Sequence, residues 1–330
     1  MMTHVMSAVT RIKGRSETSD PTPGTVDEKS LYKKRKRRQG LRDDLTSFWF
    51  LLPILAVFVI LFAVPLVQTL IYSFTDFNGY SMNMHYVGWV NYQKVFTDSS
   101  TLQGLIFTVI YAVLQTIFIT VIAIPLAVTL NGKFFGRNFA RSMFFFFSVP
   151  SMAILGLVWR YIFSPMKTGL VNSFLGLFGI DSLPWLSNSH LAQGCVIFVA
   201  VWAQIGWHAT LYLAFLQSIP HDLYEQATVD GASKRQQFVH ITLPQLVPGI
   251  VTSTFLLMNG GLKVYDLPFT LTKGGPGYST YTVTQSIIQQ GIGQSQYGVG
   301  SALAVLFTLA TAVVVFAQMG VANSISRRFQ

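Results

Sequence analysis

The sequence predicts an all-α integral membrane protein with six transmembrane helices and with both termini in the cytoplasm. Three observations support this: the apolar composition, the length of the uncharged runs and the one-sided distribution of Lys and Arg. Of the 330 residues, 51% are hydrophobic and only 11% are charged, whereas soluble domains carry about 25% charged residues. A chain of this length cannot bury so much apolar surface in its own interior. Lipid is therefore the expected solvent, and a soluble enzyme or a disordered protein is disfavoured.

Long uncharged runs give the positions of the spans. Runs without Asp, Glu, Lys or Arg cover residues 45–75, 99–132, 142–159, 182–221, 236–262 and 274–326. Each is close to or longer than the roughly 20 residues that cross a bilayer as a helix. We predict spans near residues 47–73, 103–130, 140–163, 192–217, 247–270 and 299–322.

The basic residues test this topology. Cytoplasmic segments are enriched in Lys and Arg, and alternating the six spans places eighteen of the 23 basic residues on the side of the N-terminus. Three fall on the other side, at Lys94, Lys167 and Lys273. The distribution predicts a multi-pass protein of a cell membrane with a short cytoplasmic C-terminus at 326–330.

The N-terminal tail contributes much of the net charge of +10. Residues 1–46 hold eleven Lys and Arg among many Ser, Thr and Pro, and such a composition is typical of a disordered tail. The run Lys33–Arg38 directly precedes the first span, where basic residues set orientation and contact anionic lipid. We therefore predict a basic cytoplasmic tail and no binding of nucleic acid.

The segment 220–246 has more pattern than a connection between two spans requires. Asp222 is placed to cap a first helix, Gly231 to end it with a positive φ, and Ser233 to start a second helix. Pro244 is expected to break the pattern. The prediction is a helix–turn–helix on the cytoplasmic side with an exposed apolar face, which indicates a protein partner.

This segment also carries a resemblance to a known family. Its fixed spacing resembles the EAA motif of the permease subunits of bacterial ABC importers, with Gln226 as the one departure. In that family the segment is a coupling helix that docks on an ATPase subunit, with a turn glycine at Gly231 and an acidic residue facing the ATPase at Glu225. The residues that match are Glu225, Ala227, Asp230, Gly231, Ala232, Ile241, Leu243 and Pro244.

Further motifs resemble carbohydrate permeases of the MalF and UgpA types. These are the runs 265–276, 217–220, 169–172 and 297–302. The resemblance covers residues 48–325 and implies a MetI-like permease core, so that a single permease domain spans residues 47–325. It agrees with the six helices inferred from the charges.

The resemblance also implies the partners. A second homologous permease would complete a heterodimer, two ATP-binding cassette subunits would supply energy, and an extracytoplasmic solute-binding protein would deliver a carbohydrate. The chain has no Gly-x4-Gly-Lys-[Ser/Thr] run to hold ATP phosphates. We therefore expect a non-catalytic subunit of the bacterial cell membrane that binds no cofactor and no metal, with ATP and Mg used by its partners.

Polar residues inside spans are costly and are candidates for the solute pathway. Sugar sites combine aromatic faces with hydrogen-bonding groups, and the resembling permeases hold their solute with the fourth and fifth spans. Lys263 and Asp266 have a second interpretation, because at a spacing of three they can neutralise each other on one helix face. The candidates are Gln204, Trp207, Asn259, Gly261, Lys263, Tyr265 and Asp266.

The predicted function is import of a sugar or oligosaccharide, and several alternatives remain open. Glycerol-3-phosphate or a polyol fits the same family. A secondary transporter or channel is disfavoured by the patterned segment 220–246 and by the scarcity of acidic residues in the spans. An intramembrane enzyme would need a nucleophile–base pair or a metal site, and no such set can be assembled from the spans.

Overall fold

The computed structural model describes residues 49, 51–81 and 83–329. The predicted disordered tail 1–46 and the last residue of the predicted C-terminal segment lie outside this range. The described part of the chain is almost wholly helical, with an isolated antiparallel bridge between Thr75 and Tyr86. In chain order the helices are α1 Leu51–Tyr72, α2 Val90–Thr97, α3 Ser99–Asn131, α4 Arg137–Phe146, α5 Met152–Ile162, α6 Leu170–Gly176, α7 Ser189–Gln217, α8 His221–Val229, α9 Lys234–Leu262, α10 Asp266–Thr272, α11 Val283–Ile288 and α12 Tyr297–Phe329.

Five of the described helices are long and apolar enough to cross a membrane, namely α1, α3, α7, α9 and the part of α12 up to Ala322. Four of them agree with predicted spans, and α9 overlaps a fifth. The chain divides into two compact units, residues 1–65 and 66–330. The helix core described below lies in the second unit.

The third predicted span, 140–163, is not one helix. It is divided into α4 and α5, of ten and eleven residues, and each is shorter than the roughly 20 residues of a full span. Pro150 lacks an N–H group, and Ser151 caps α5 through its side chain at the Ile154 N–H. The Ser148 hydroxyl donates to the Ala203 carbonyl of α7, 2.7 Å away. The prediction of a single helical span was wrong here, because polar groups at the break form hydrogen bonds outside a continuous helix: Ser148 bonds to Ala203, and Ser151 caps α5.

The fifth predicted span, 247–270, is displaced toward the N-terminus. α9 ends at Leu262, directly after Gly260 and Gly261, which are poor helix formers. Lys263 leaves the helical conformation, Tyr265 is neither helical nor extended, with φ −142° and ψ −56°, and Asp266 starts a new helix. Lys263 and Asp266 therefore do not share a helix face, and no ion pair joins them in the structure. The structure therefore does not support the second interpretation, in which the two residues neutralise each other on one helix face.

Pro244 does not break the chain as expected. It lies inside the continuous helix α9, directly after a π-helical turn at Phe238–Thr242. In that turn the Leu243 N–H bonds to the Phe238 carbonyl five residues back. A wider turn accommodates a residue that has no N–H to donate, so the second helix of segment 220–246 continues into the fifth span.

The core of the second unit is formed by α3, α7 and α9. Gln115 of α3 is buried, and its Nε2 donates to the Leu257 carbonyl of α9 at 3.0 Å. His208 of α7 is buried and its Nδ1 lies 2.7 Å from the Ser253 hydroxyl of α9. In lipid, helices associate through close packing and such interhelical hydrogen bonds. These contacts fix α9 against both neighbours.

The start of α3 is tied to α11 and its following turn. Asp98 caps α3 at the Thr101 N–H, and Gln290 donates to the Asp98 carboxylate at 2.8 Å. Partial burial tends to raise the pKa of Asp98, but the hydroxyls of Ser100 and Thr101 outweigh it and hold the pKa below its usual value. The carboxylate thus stays charged and keeps the end of α3 in place.

Two adjacent glycines of α9 allow a direct test of this packing. A Cβ at Gly261 would lie 2.8 Å from the Cα of Ala112 and would overlap the Gln115 side chain, whereas a Cβ at Gly260 meets nothing within 4 Å. We expect Gly261→Ala to lower the free energy of unfolding by about 1–3 kcal/mol through overpacking. Gly260→Ala should leave it unchanged or raise it by about 0.5–1 kcal/mol through helix propensity. Unfolding midpoints of the purified variants measure the difference, and equal midpoints would contradict this packing.

Candidate coupling and solute sites

The first candidate site is the hairpin of α8 and the start of α9, residues 220–242, called here the coupling hairpin. Gly231 has φ +81° at its turn, as predicted, and space around it is open. Ser233 forms a capping box with Gln236, whose side chain accepts from the Ser233 N–H at 2.8 Å. Asp222 does not cap α8, since the chain enters the helix through Pro220. Asp222 lies in the first turn instead, where the helix dipole stabilises its negative charge.

Polar side chains between the two helices fix the hairpin to the base of α9. The Tyr224 hydroxyl lies 3.0 Å from the Thr242 hydroxyl. The buried Gln237 donates to the Thr228 hydroxyl at 3.0 Å and to the Ala232 carbonyl at 3.2 Å. α8 is therefore joined to the π-helical turn of α9 rather than hanging on a free loop. The coupling residues predicted from the sequence did not include Tyr224, Thr228 or Gln237. The spacing of four between Tyr224 and Thr228, which places both on one face of α8, is the signal that could have identified that face.

The predicted coupling residues separate into two groups by exposure. Glu225, Asp230 and Gly231 are exposed, and Glu225 makes a contact of 3.0 Å with the side chain of His221 one turn before it. The other five are half-buried: Ala227, Ala232, Ile241, Leu243 and Pro244. The exposed apolar surface is smaller than expected and centres on Val229, which is 87% exposed. The first group is accessible at the turn of the hairpin, and the second is partly covered by the two helices.

The second candidate site lies along α7 and α9. α3 packs on one side of both helices, and the His208–Ser253 contact lies between them. Helical spacing places Gln204 one turn before His208 on α7, and Asn259 on the side of α9 opposite Leu257 and Gly261, which face α3. Trp207 is 40% exposed, and its ring packs edge-on against the ring of His208 at 4.7 Å. An aromatic face and two amides therefore border the same surface.

The remaining candidates for the pathway have different surroundings. Lys263 follows α9 directly and Asp266 starts α10, and both are exposed. Tyr265 stacks on Phe269 with ring centroids 5.1 Å apart. Gly261 is buried against α3, so in this conformation it serves helix packing and does not line a pathway.

The side chains that commonly bind metals are scattered. Among the residues that the structure describes, no three His, Cys, Asp or Glu side chains come together in a way that could hold a metal ion.

Solved structures with the same fold come from an ABC importer. The structure superposes with a TM-score of 0.76 on a chain of a bacterial ABC transporter involved in the import of the acidic polysaccharide alginate. The two sequences are 23% identical, and the match covers 89% of this chain and 99% of the other. This likeness shows a shared fold.

Curated relatives share more of the sequence. The chain is 32% identical to the probable ABC transporter permease protein YurN of Bacillus subtilis, over 84% of this chain and 96% of that protein. It is 31% identical to the multiple sugar-binding transport system permease protein MsmF of Streptococcus mutans, over 88% of this chain and 99% of that protein. It is also 30% identical to the probable starch degradation products transport system permease protein AmyD of Thermoanaerobacterium thermosulfurigenes, over 84% and 94%.

A family model matches the part of the chain that contains both sites. Residues 119–330 match the model described as binding-protein-dependent transport system inner membrane component. This range includes the coupling hairpin, α7 and α9. The chain therefore belongs to the family of binding-protein-dependent transport system inner membrane components, the permease subunits of ABC transporters, and is a multi-pass membrane protein.

Proposed function

We propose that the chain is the permease subunit of an ATP-driven importer that carries a sugar or oligosaccharide across the cell membrane. Relatives named for starch products, diacetylchitobiose and multiple sugars support this solute class. The observation that carries the mechanism is the hydrogen-bonded joint between the coupling hairpin and α9. It links an exposed docking surface to the helix that bears part of the candidate solute site.

The proposed assembly has separate parts for energy, delivery and passage. ATP and Mg are used by two ATPase subunits that dock on Glu225, Asp230 and the Gly231 turn, and this chain binds no cofactor or metal itself. A second homologous permease covers the face of α7 and α9 that is turned away from α3. A solute-binding protein outside the membrane delivers the sugar. The bacterial alginate ABC transporter of the same fold supports this part, since it forms a complex with a periplasmic protein that has bound an alginate pentasaccharide.

The proposed mechanism uses α9 as a lever. When the ATPase subunits close on ATP, they move the coupling hairpin. Tyr224 and Gln237 transmit this movement to the π-helical turn of α9. Since α9 ends at Leu262, its outer end can shift relative to α10 without unwinding a longer helix. Asn259 then moves relative to Trp207, and the solute path changes from outward-open to inward-open.

The solute is proposed to lie against the surface bordered by Trp207, Gln204 and Asn259. The indole face can stack on the apolar face of a pyranose, and the amides can bond to its hydroxyl groups. Lys263 and Asp266 do not neutralise each other, so both can form charge-assisted hydrogen bonds with hydroxyls of the solute.

Substitution of Gly231 tests the coupling role. Gly231→Val should reduce both sugar transport and transport-linked ATPase activity in reconstituted vesicles about tenfold, because a β-branched residue is strained at φ +81°. Gly231→Asn is the matched control, since asparagine tolerates this conformation and a side chain there meets open space. Solute binding by the external protein should stay unchanged. Normal transport and ATPase activity in Gly231→Val would contradict the coupling role.

Substitution of Trp207 tests the solute surface. Trp207→Ala should lower the sugar transport rate about three- to tenfold, since it removes a stacking face worth about 0.5–1.5 kcal/mol. Trp207→Phe should restore most of the rate, because it keeps an aromatic face. Both variants should assemble with the ATPase subunits to the same extent, as measured by co-purification. If Trp207→Ala transports as fast as Trp207→Phe, the indole does not contact the solute.

A further inference from the structure

The turn between α3 and α4 carries basic and aromatic residues that neither proposed site uses. We call residues 132–141 the basic–aromatic hairpin. It holds three basic residues, Lys133, Arg137 and Arg141, and no acidic residue. Gly136 has φ +79°, which reverses the chain before α4. Three phenylalanines, Phe134, Phe135 and Phe139, stand between the basic positions.

The structure leaves most of these side chains exposed. Phe135 is fully exposed, and Phe139 is 75% exposed. Arg141 is used within the fold, since its guanidinium donates to the Leu130 carbonyl at 2.7 and 3.1 Å and closes the turn. Lys133 and Arg137 make no hydrogen bond or ion pair with side chains in the described part of the chain. Residues 133–139 border an open concavity of about 820 Å³.

The hairpin lies at the same end of the helix core as the coupling hairpin. Gln115 bonds to Leu257, and Gly261 packs on Ala112, so α3 and α9 are antiparallel. At 1.5 Å per residue, the end of α3 at Asn131 is level with the beginning of the apolar part of α9 near Leu243. On the proposed function this end faces the cytoplasm, at the level of the inner headgroups.

Charge and apolar surface together select one occupant. The N-terminal tail of this chain is unsuitable, because residues 1–46 hold eleven basic and six acidic residues and would repel the hairpin. Exposed phenylalanines beside lysine and arginine are typical of segments that insert rings at the acyl boundary while the cations contact anionic headgroups. Both features fit a lipid, whereas a soluble anion would use only the charges.

We propose that the basic–aromatic hairpin binds an anionic phospholipid of the inner leaflet, with its headgroup held by Lys133 and Arg137 and with Phe135 and Phe139 inserted beside the acyl chains. The hairpin joins α3 to α4 at the same end of the helix core as the coupling hairpin. Bound lipid holds this end of α3 at the membrane surface while α9 moves. The cytoplasmic side rests on the proposed function, but binding itself does not.

Fluorescence quenching by lipid tests the proposal on the full chain. The single cysteine, Cys195, is buried, so Asn138→Cys gives a selective position for a bimane label within the hairpin. The labelled chain is placed in nanodiscs that contain brominated phosphatidylglycerol or, in a parallel series, brominated phosphatidylcholine. About fivefold preference per basic residue predicts half-maximal quenching at a roughly 25-fold lower mole fraction of phosphatidylglycerol.

Charge variants distinguish binding of lipid at the hairpin from a general attraction of the basic protein to anionic lipid. Lys133→Gln with Arg137→Gln should remove the preference for phosphatidylglycerol. The matched control, Lys94→Gln with Lys167→Gln, removes two charges elsewhere and should retain it. In the unsubstituted chain, raising NaCl from about 0.05 to about 0.5 M should weaken the preference through screening, which tests the electrostatic contribution without any variant.

Several outcomes would overturn the proposal. Equal quenching by the two lipids, or an unchanged preference in Lys133→Gln with Arg137→Gln, would show that the hairpin does not select anionic lipid. Displacement of phosphatidylglycerol by free glycerol phosphate would indicate a soluble anion site. Loss of quenching when ATPase subunits are added would indicate a protein partner. None of these measurements involves ATP or transport, so failure here leaves the proposed function standing and is distinguishable from its failure.

Discussion

The close approach of α3, α7 and α9 is the constraint on which the remaining structure depends. In a membrane the helices gain nothing from leaving water, so contact between them rests on small residues and interhelical hydrogen bonds. Gly261 allows α9 to touch the backbone of α3 at Ala112, and Gln115 adds a bond to Leu257. With this crossing fixed, the coupling hairpin and the candidate solute surface lie at two defined levels of the same helix.

The hydrogen-bonded joint between the coupling hairpin and α9 would let a movement of the hairpin move the span. A loop that only carried docking residues could move without moving a span. Here the Tyr224 hydroxyl of α8 bonds to Thr242 in the π-helical turn, and Gln237, directly before that turn, donates to Thr228 of α8. Pro244 lies within the helix. At its other end α9 stops at Leu262. In the proposed mechanism, a displacement of α9 therefore reaches the candidate solute surface and need not be passed to α10.

The sequence predicted the class of fold, most of the long helices and the coupling turn, because these depend on local signals. Uncharged runs mark the spans, and Gly231 and Ser233 have the conformations expected from their residue types. The failures depend on tertiary partners. The break at Ser148–Ser151 is stabilised by a bond to α7, Pro244 is tolerated because the helix widens before it, and Gly261 became a packing residue because α3 lies against it. Uncharged runs cannot reveal any of these contacts.

The central claim is that the coupling hairpin and the base of α9 move as one body. Spin labels at Val229 and Val239, both exposed, in the transporter assembled with its partners would measure the distance across this joint by pulsed electron paramagnetic resonance. Rigid coupling predicts the same distance distribution in the nucleotide-free and the ATP-trapped states. A shift of about 5 Å or more between the two states, one helical turn, would show that the joint opens and would contradict the claim.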